Sequence, residues 1–189
     1  MSFMTAEDFE ARYRADPDPW GYLASEYERA KYAATLAACG PGPFTCALEL
    51  GGSIGVFSAM LAPRCERLVT VDVSPTAVAR ARSLLAEHTA AEAIVGSIPA
   101  AVPAAAFDLV VASEILYYLQ AEQLAATVAR LREQLQPRGR LVAVHWRRPG
   151  NERPFTAAEI HDHLRGTSWL KPVEQADTDD YLLDVLVPR

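Results

Sequence analysis

Apolar and polar positions alternate along the chain in blocks that predict strands and helices in turn. Near-continuous apolar runs are typical of strands buried on both faces of a sheet. Such runs, together with weaker strand patterns, occupy residues 45–50, 68–73, 93–95, 107–112, 141–146, 173–176 and 181–187. Helical patterns separate most of them, at residues 56–61, 74–87, 121–136 and 156–164. The alternation predicts an α/β fold: a Rossmann-like, mostly parallel seven-stranded sheet with helices on both faces.

Two further helices are predicted before the first strand. The first begins at Thr5 and ends before two prolines, and the second covers about residues 25–38. Because they precede the sheet, we expect residues 1–40 to form a lid across the carboxyl ends of the strands, where α/β sheets bind ligands. Residues 41–189 would form the ligand-binding core of the same domain. A purely structural N-terminal layer is the alternative.

Short local signals predict where several elements begin and end. Ser74 followed by proline, and Thr156 three residues before a glutamate, are typical of helix amino ends. The sequence Pro-Arg-Gly at 137–139 predicts a turn between a helix and the strand that follows it. The two histidines of the last predicted helix, His161 and His163, are expected to be exposed.

Composition and charge exclude some classes of function. The 189 residues are 50% hydrophobic, and 18 basic against 24 acidic side chains give a net charge of −6. Without a basic stripe, nucleic acid is not an expected partner. No apolar stretch is long enough to span a membrane and the amino end lacks the apolar core of a signal peptide, so a cytoplasmic location is expected. The three cysteines are expected to be buried reduced thiols, and no metal site is predicted.

The most informative stretch is LELGGSIG at residues 48–55, which follows a predicted strand and opens a helix. A dinucleotide-binding loop has the pattern GxGxxG, which fails here because Ser and Val stand at the second and third glycine positions. The spacing of Glu49, Gly51, Ser53 and Gly55 instead resembles motif I of the class I S-adenosylmethionine (SAM) methyltransferases. SAM has no phosphate, so its loop requires only close approach of the main chain, which small residues allow.

Other strand ends fit the same cofactor. Asp72 ends the second strand, 21 residues after the first glycine of the loop, and a carboxylate there can accept both ribose hydroxyls. A role in capping the next helix is the alternative. In these methyltransferases an acidic residue often binds the adenine amino group at the position that Ser97 holds here, and Ile98 would pack on the ring. We also expect Val73 and Ser113 to contact the cofactor.

A narrower resemblance rests on a series of short motifs. They are DPW (18–20), YER (27–29), ALELG (47–51), SIGVF (53–57), LAPRC (61–65), VDVSP (71–75) and FDLVVASEILYYL (107–119). This series resembles the nodulation-factor N-methyltransferase (NodS-like) family over about residues 16–146. The DPW motif and the segment at 107–119 are its most specific parts.

The resemblance implies a SAM-dependent N-methyltransferase that releases S-adenosyl-L-homocysteine (SAH). The family's named member methylates the free amine of a deacetylated amino-sugar oligosaccharide, so a small-molecule amine is the expected acceptor. Trp20 and the second helix would cover SAM, and Lys31 or Arg29 would neutralise its carboxylate. Gly52 stands where many relatives have Cys or Ala. A small-molecule O-methyltransferase and a SAM-binding sensor without turnover are the alternatives, and a monomer or homodimer is expected.

Methylation of an amine requires the free base, so the site must favour that form or accept a proton. His145, at the ligand edge of the fifth strand, is the first candidate for this base, and a satisfied strand-end histidine is the alternative. Tyr117 and Tyr118 follow the fourth strand, and a tyrosine face can stabilise a sulfonium. Glu114 can bind a cationic acceptor or cap the helix that follows.

Overall fold

The computed structural model describes residues 3–148, 150 and 152–189. Among these residues, seven strands form one sheet. They are β1 (Ala47–Leu50), β2 (Leu68–Asp72), β3 (Ala91–Val95), β4 (Phe107–Ser113), β5 (Leu135–Trp146), β6 (Leu170–Asp177) and β7 (Tyr181–Pro188). The sheet order is β3-β2-β1-β4-β5-β7-β6, with β1 to β5 parallel and β7 antiparallel to both of its neighbours. The predicted fold class is confirmed.

Helices lie on both faces of this sheet. They are α1 (Ala6–Ala15), α2 (Glu26–Cys39), α3 (Val56–Leu61), α4 (Pro75–Leu84), α5 (Ala121–Gln134) and α6 (Ala157–Gly166), with short 3₁₀ turns at Ala62–Arg64 and Leu116–Tyr118. We call the second of these turns, Leu116–Tyr118, the tyrosine turn. One hydrophobic cluster joins the sheet to α5 and α6, and a second joins the opposite face to α2, α3 and α4.

Local capping signals act as the sequence predicts. Thr5 caps α1 through a reciprocal capping box, and Thr156 does the same for α6. The side chains of Ser25 and Ser74 accept hydrogen bonds from the first turns of α2 and α4. Each of these helices therefore begins where a short polar side chain satisfies a free backbone N–H.

The turn predicted at 137–139 is wrong. Residues 135–146 form one strand, and the preceding helix ends at Gln134 rather than at 136. The pairing of β4 with β5 shifts between Phe107, opposite Leu135, and Leu109, opposite Arg140. The extra residues of β5 are taken up in this irregularity, so proline and glycine bend the strand without ending it.

The structure also extends the weakly predicted strands, since β3 begins two residues earlier and β6 covers 170–177. β6 lies at the edge of the sheet, a position that tolerates the proline at 172, which stands opposite Leu186 of β7. Within the described ranges, no helix combines the length and apolar character that a bilayer crossing requires.

Candidate active site

The carboxyl ends of β1, β2, β4 and β5 and the loop after β3 surround a cavity of about 560 Å³, and α1, α2 and the tyrosine turn also contribute to its wall. Its volume lies in the range of small-molecule sites, roughly 300–1,000 Å³. Most of the predicted site residues line it: Trp20, Lys31, Glu49, Gly51, Ser53, Asp72, Val73, Ser97, Ile98, Ser113, Glu114, Tyr117 and Tyr118. The parallel register of the sheet brings these positions from separate strands to one edge.

The loop after β1 depends on backbone conformations that favour glycine. Gly51 and Gly55 have φ of 73° and 86°, and Ser53 shares the left-handed region with φ of 52°. A Cβ atom at Gly51 would lie 2.9 Å from Ile115. Gly55 is not among the residues lining the cavity, and a Cβ there would lie 2.8 Å from the Cα of Ala81. The first glycine therefore shapes the cavity wall, and the last packs α3 against α4.

Asp72 joins two of the loops that border the cavity. Its Oδ2 accepts a hydrogen bond of 2.8 Å from the Ser53 N–H, and its Oδ1 accepts one of 2.9 Å from the Ser74 N–H. Burial raises the pKa of the Asp72 carboxyl, and these two N–H donors oppose that rise. The carboxylate thus stabilises the turn before α4, whose N-cap is Ser74, and also lies on the cavity wall.

Glu49 is buried behind the glycine loop. It accepts a hydrogen bond from the Ser58 hydroxyl, and burial raises its pKa to about 7. A Cβ atom added at Gly52 would lie only 1.7 Å from Thr70 Oγ1 and 3.2 Å from Glu49 Oε2. Thr70, which the sequence analysis missed, therefore occupies the space that a side chain at position 52 would need.

A buried ionic cluster, which we call the carboxylate–lysine cluster (Glu28, Lys31 and Glu114), lines one end of the cavity. Lys31 Nζ lies 3.1 Å from Glu28 Oε1 and 2.8 Å from Glu114 Oε1. With both carboxylates ionised, the cluster carries one net negative charge. Burial raises the pKa of Glu28, and the nearby Lys31 ammonium opposes this effect.

Glu114 is held by three different elements. Besides Lys31 of α2, it accepts hydrogen bonds from the Tyr117 hydroxyl and, at 3.1 Å, from the Trp146 N–H at the end of β5. Its φ of 58° is uncommon for a residue other than glycine, asparagine or aspartate. Such backbone strain persists where the surroundings over-determine it, and it is frequent at functional sites.

Two hydroxyl groups near this end lack a hydrogen-bond partner within the described part of the chain. The hydroxyl oxygens of Tyr27 and Ser113 are buried and make no hydrogen bond, although both residues line the cavity. Buried hydroxyls normally find a partner. These two groups are therefore available to a bound molecule.

Aromatic side chains form the roof under α1. Trp20 packs against Tyr13 and Tyr22, with ring centroids 5.2 and 6.0 Å apart, and Phe9 lies edge-on to Tyr118 at 5.0 Å. The Tyr13 hydroxyl donates a 2.5 Å hydrogen bond to Ser53 Oγ. The roof thus reaches the glycine loop directly.

Known proteins are similar to this chain in sequence and in architecture. The profile of the family described as Nodulation protein S (NodS) matches residues 5–149. The chain belongs to the NodS family. This confirms the family to which the sequence motifs pointed.

Two curated relatives carry the description Nodulation protein S. The protein from Sinorhizobium fredii (strain NGR234) is 36% identical over 133 residues, which are 69% of this chain and 62% of the relative. The protein from Rhizobium tropici is 35% identical over 133 residues, 69% of this chain and 56% of the relative. The matched region therefore spans about three fifths of the length of these relatives.

A solved NodS structure matches almost the whole chain. The N-methyltransferase NodS from Bradyrhizobium japonicum WM9, in complex with SAH, superposes with a TM-score of 0.86 at 28% identity. The match covers 97% of each chain. The order of strands, with β7 antiparallel, is thus that of the class I SAM-dependent methyltransferases.

Within this NodS-family fold, His145 does not lie where the sequence analysis expected. It is fully buried and is not among the residues that line the cavity. Its Nε2 accepts a hydrogen bond from the Leu116 N–H at 3.2 Å, and its Nδ1 lies 3.1 Å from His161 Nε2. Both ring nitrogens are occupied, so the geometry fits a satisfied strand-end histidine and not a base that touches the acceptor.

Two other expectations for single residues are wrong. Arg29 points away from the cavity, where it donates to the Ala24 carbonyl and lies 3.9 Å from Glu26. His161 is fully buried, whereas His163 is exposed as expected. His161 and His163 lie two positions apart on α6, so one points into the core and the other to solvent. The sequence alone did not show which of the two is buried.

The sequence analysis missed several residues of the site, among them Tyr27, Glu28 and Trp146. Glu28 could have been found, because it stands three residues before Lys31 and such positions share a helix face. Trp146 contributes through its backbone N–H, for which the sequence carries no signal.

Proposed function

We propose that this protein is a SAM-dependent N-methyltransferase that transfers a methyl group to an amine of a small molecule. The observation that carries the proposal is the net negative carboxylate–lysine cluster on the wall of a cavity that also contains the glycine loop and Asp72. Such a cluster favours a cationic group, and a basic amine arrives from water largely as its ammonium form. Membership of the NodS family supports the same activity.

The residues of this chain fit SAM as the cofactor. The glycine loop allows close main-chain approach at Gly51, the Asp72 carboxylate can accept ribose hydroxyls, and Ile98 offers an apolar surface for the adenine. The unpartnered hydroxyls of Tyr27 and Ser113 suit the polar amino-acid portion. Lys31 is our candidate for its carboxylate. When bound, SAM supplies a methyl group activated by its sulfonium, and the neutral thioether SAH is a good leaving group.

Glu114 is our candidate for the group that binds the acceptor ammonium and takes its proton. An ammonium has no lone pair, so its nitrogen becomes a nucleophile only when one N–H proton moves to a base. Burial and the Glu114 charge hold the pKa of Tyr117 well above its ordinary value, so the Tyr117 hydroxyl stays protonated and donates to Glu114. Tyr117 would orient the carboxylate, and Tyr118 would form part of the wall beside it.

We also propose that α1 acts as the lid. Residues 3–6, Phe9 and Tyr13 contribute to the cavity wall, whereas α2 packs into the hydrophobic core through Tyr32, whose ring centroid lies 5.5 Å from that of Phe57 in α3. Movement of α2 would open the hydrophobic core. We therefore assign the lid to α1 and the segment up to Trp20, and leave α2 as a fixed wall.

A deacetylated amino sugar is the acceptor class that the family resemblance implies, and a matched pair of acceptors tests it. Isotope-labelled SAM is incubated with glucosamine or a deacetylated chitobiose and, separately, with the N-acetylated counterpart of each. We expect labelled product only from the free amines, because an acetamide nitrogen is neither cationic nor basic. Methylation of hydroxyl groups would identify an O-methyltransferase, and SAM binding without product from any amine would identify a sensor; either result contradicts the proposal.

The role of Glu114 is tested by Glu114→Gln. Loss of the proton acceptor should lower kcat by about 10²-fold or more while the Kd for SAM changes little. Glu87→Gln, at an exposed glutamate after α4, is the matched control and should behave as the wild type. Full activity of Glu114→Gln would remove Glu114 from proton transfer.

A further inference from the structure

Behind the wall of the cavity, a second polar array crosses the protein core. We call it the histidine chain (His145 of β5, His161 of α6, Asp184 of β7 and Arg165 of α6). The first three side chains are fully buried. His145 Nδ1 lies 3.1 Å from His161 Nε2, and His161 Nδ1 lies 2.8 Å from Asp184 Oδ2. None of these four residues lines the cavity.

The direction of the hydrogen bonds in this chain is determined by its two ends. The Leu116 N–H can only donate, so His145 Nε2 accepts and carries no proton. A neutral His145 then has its proton on Nδ1 and donates to His161 Nε2. His161 in turn has its proton on Nδ1 and donates to Asp184.

The far end of the histidine chain is neutralised. Asp184 accepts two hydrogen bonds from the Arg165 guanidinium, at 2.8 and 3.0 Å, and one from Gln175 at 3.0 Å. Burial holds the pKa of His145 well below its ordinary value, and the positive charges of Lys31 and Arg153 act in the same direction. With both histidines neutral, the buried chain has no net charge. The hydrogen bonds from the Leu116 N–H through both histidines all run toward Asp184, and Arg165 donates to Asp184 from the other side.

The near end of the histidine chain supports the tyrosine turn. The Leu116 N–H belongs to the first residue of that turn and has no partner within it. His145 therefore caps the turn from a neighbouring strand, and its ring also packs edge-on against Tyr117, with centroids 4.9 Å apart. The turn follows directly on Glu114 and Ile115, so its position determines where the Tyr117 hydroxyl meets Glu114.

We propose that the histidine chain is a positioning device for the acceptor end of the active site, in which His145, His161 and Asp184 hold the tyrosine turn in register with Glu114. This inference rests on the proposed function for its kinetic consequence. The histidine chain ends on the Leu116 backbone amide, which does not release its proton near neutral pH. The histidine chain therefore orients groups and does not relay protons. A displacement of about 1 Å at a reacting group can cost about 10²-fold in rate.

Two variants at His161 separate orientation from simple packing. His161→Leu fills the space with an apolar side chain and breaks the chain. His161→Gln can still accept from His145 through its amide oxygen and donate to Asp184 through its amide nitrogen. His163→Gln, at the exposed histidine two residues further along α6, is the matched control.

Nitrogen-15 NMR of the uniformly labelled protein, read at the histidine rings and at the backbone amides, tests the chain without any acceptor. We expect an unprotonated Nε2 and a protonated Nδ1 at both His145 and His161 in the wild type. The amide resonance of Leu116 should shift in His161→Leu and stay close to the wild-type position in His161→Gln and His163→Gln. A proton on Nε2 of His145, or a Leu116 amide that does not respond to His161→Leu, overturns the proposal.

Kinetics with a methyl acceptor give the second measurement. We expect His161→Leu to lower kcat about tenfold to 10²-fold with the Kd for SAM within twofold of the wild type, and His161→Gln to recover most of the loss. Wild-type kcat and KM in a folded His161→Leu protein overturn the proposal. A wild-type protein that methylates no acceptor contradicts the proposed function instead, and the NMR outcomes still decide whether the histidine chain holds the turn.

Discussion

Lys31 stabilises two carboxylates that would otherwise be buried without a counter-charge. Its side chain is 2% exposed, and those of Glu28 and Glu114 are 11% and 16% exposed, so water screens the cluster poorly. Removal of one partner from a buried ion pair typically costs about 3–5 kcal/mol, because the remaining charge is left uncompensated. The carboxylate–lysine cluster therefore supports α2 against β4 as well as setting the charge of the cavity.

The glycine loop depends on the close approach of Thr70 to Gly52. Thr70 Oγ1 occupies the space that a Cβ atom at position 52 would need. We expect Gly52→Ala to lower the free energy of unfolding by about 1–3 kcal/mol through overpacking. Truncation of the neighbour in Gly52→Ala with Thr70→Ala should recover most of that loss.

A double-mutant cycle measured by urea unfolding checks this expectation, with the Kd for SAH as a second measurement. Residues in contact show coupling free energies of about 0.5–3 kcal/mol, whereas independent sites are additive. Additive effects of the two substitutions, or a Gly52→Ala protein as stable as the wild type, would show that Thr70 does not restrict the loop.

At the level of elements, polar contacts attach α1 to α4, in addition to the aromatic contacts of the roof. The Glu10 carboxylate accepts hydrogen bonds from Ser74 Oγ and Thr76 Oγ1, each 2.6 Å, and from the Thr76 N–H at 3.1 Å. It therefore binds the amino end of α4, where a negative charge is favourable. The exposed ion pair between Arg12 and Glu152 contributes little, since such pairs are worth about 0–1 kcal/mol.

We expect Glu10→Ala to loosen α1. Loss of hydrogen bonds to a charged acceptor should weaken the closed state and raise the dissociation rate of SAH about 5- to 30-fold. Stopped-flow measurement of SAH release checks the rate, and limited proteolysis within α1 checks the opening. Glu7→Ala, an exposed glutamate on the same helix, is the control. Equal release rates in Glu10→Ala and Glu7→Ala would show that Glu10 does not hold the lid.

At the level of the whole molecule, two buried ionisable groups make opposite contributions to stability as the pH changes. His145 has a folded-state pKa well below 6.5, so the unfolded chain binds the extra proton and stability falls as the pH drops below about 6.5. Glu49 has a folded-state pKa of about 7 against 4.5 unfolded, so the folded chain binds the extra proton. Stability from Glu49 therefore rises as the pH falls from about 7 toward 4.5.

The two contributions are separated by His145→Gln and Glu49→Gln. Each group changes the free energy of unfolding by up to about 1.4 kcal/mol per pH unit within its window. As the pH falls from 7 to 5, the free energy of unfolding of Glu49→Gln should decrease relative to that of the wild type. Over the same interval, that of His145→Gln should increase relative to the wild type. Urea unfolding at pH 5, 6 and 7 measures both slopes. Parallel curves for the wild type and both variants would contradict these assignments.

The sequence by itself determined the alternation of strands and helices and many of the residues that line the cavity. Apolar runs specified the strands, short polar residues such as Thr5 and Ser74 marked helix starts, and small residues around Gly51 marked the loop. The place of Asp72 on the cavity wall could be predicted because this residue ends a strand. These signals are local, since they reflect backbone hydrogen bonding and sterics within a few residues.

Only the tertiary structure decided which distant residues meet. Glu114 and Lys31 are 83 positions apart, and His145 faces His161 and not the cavity, although the ligand edge of its strand was predicted correctly. The direction of a side chain at a strand end depends on sheet register, on the irregularity within β5 and on the rotation of packed helices. None of these is encoded by neighbouring residues, so the carboxylate–lysine cluster and the histidine chain became visible only when the strands and helices were assembled.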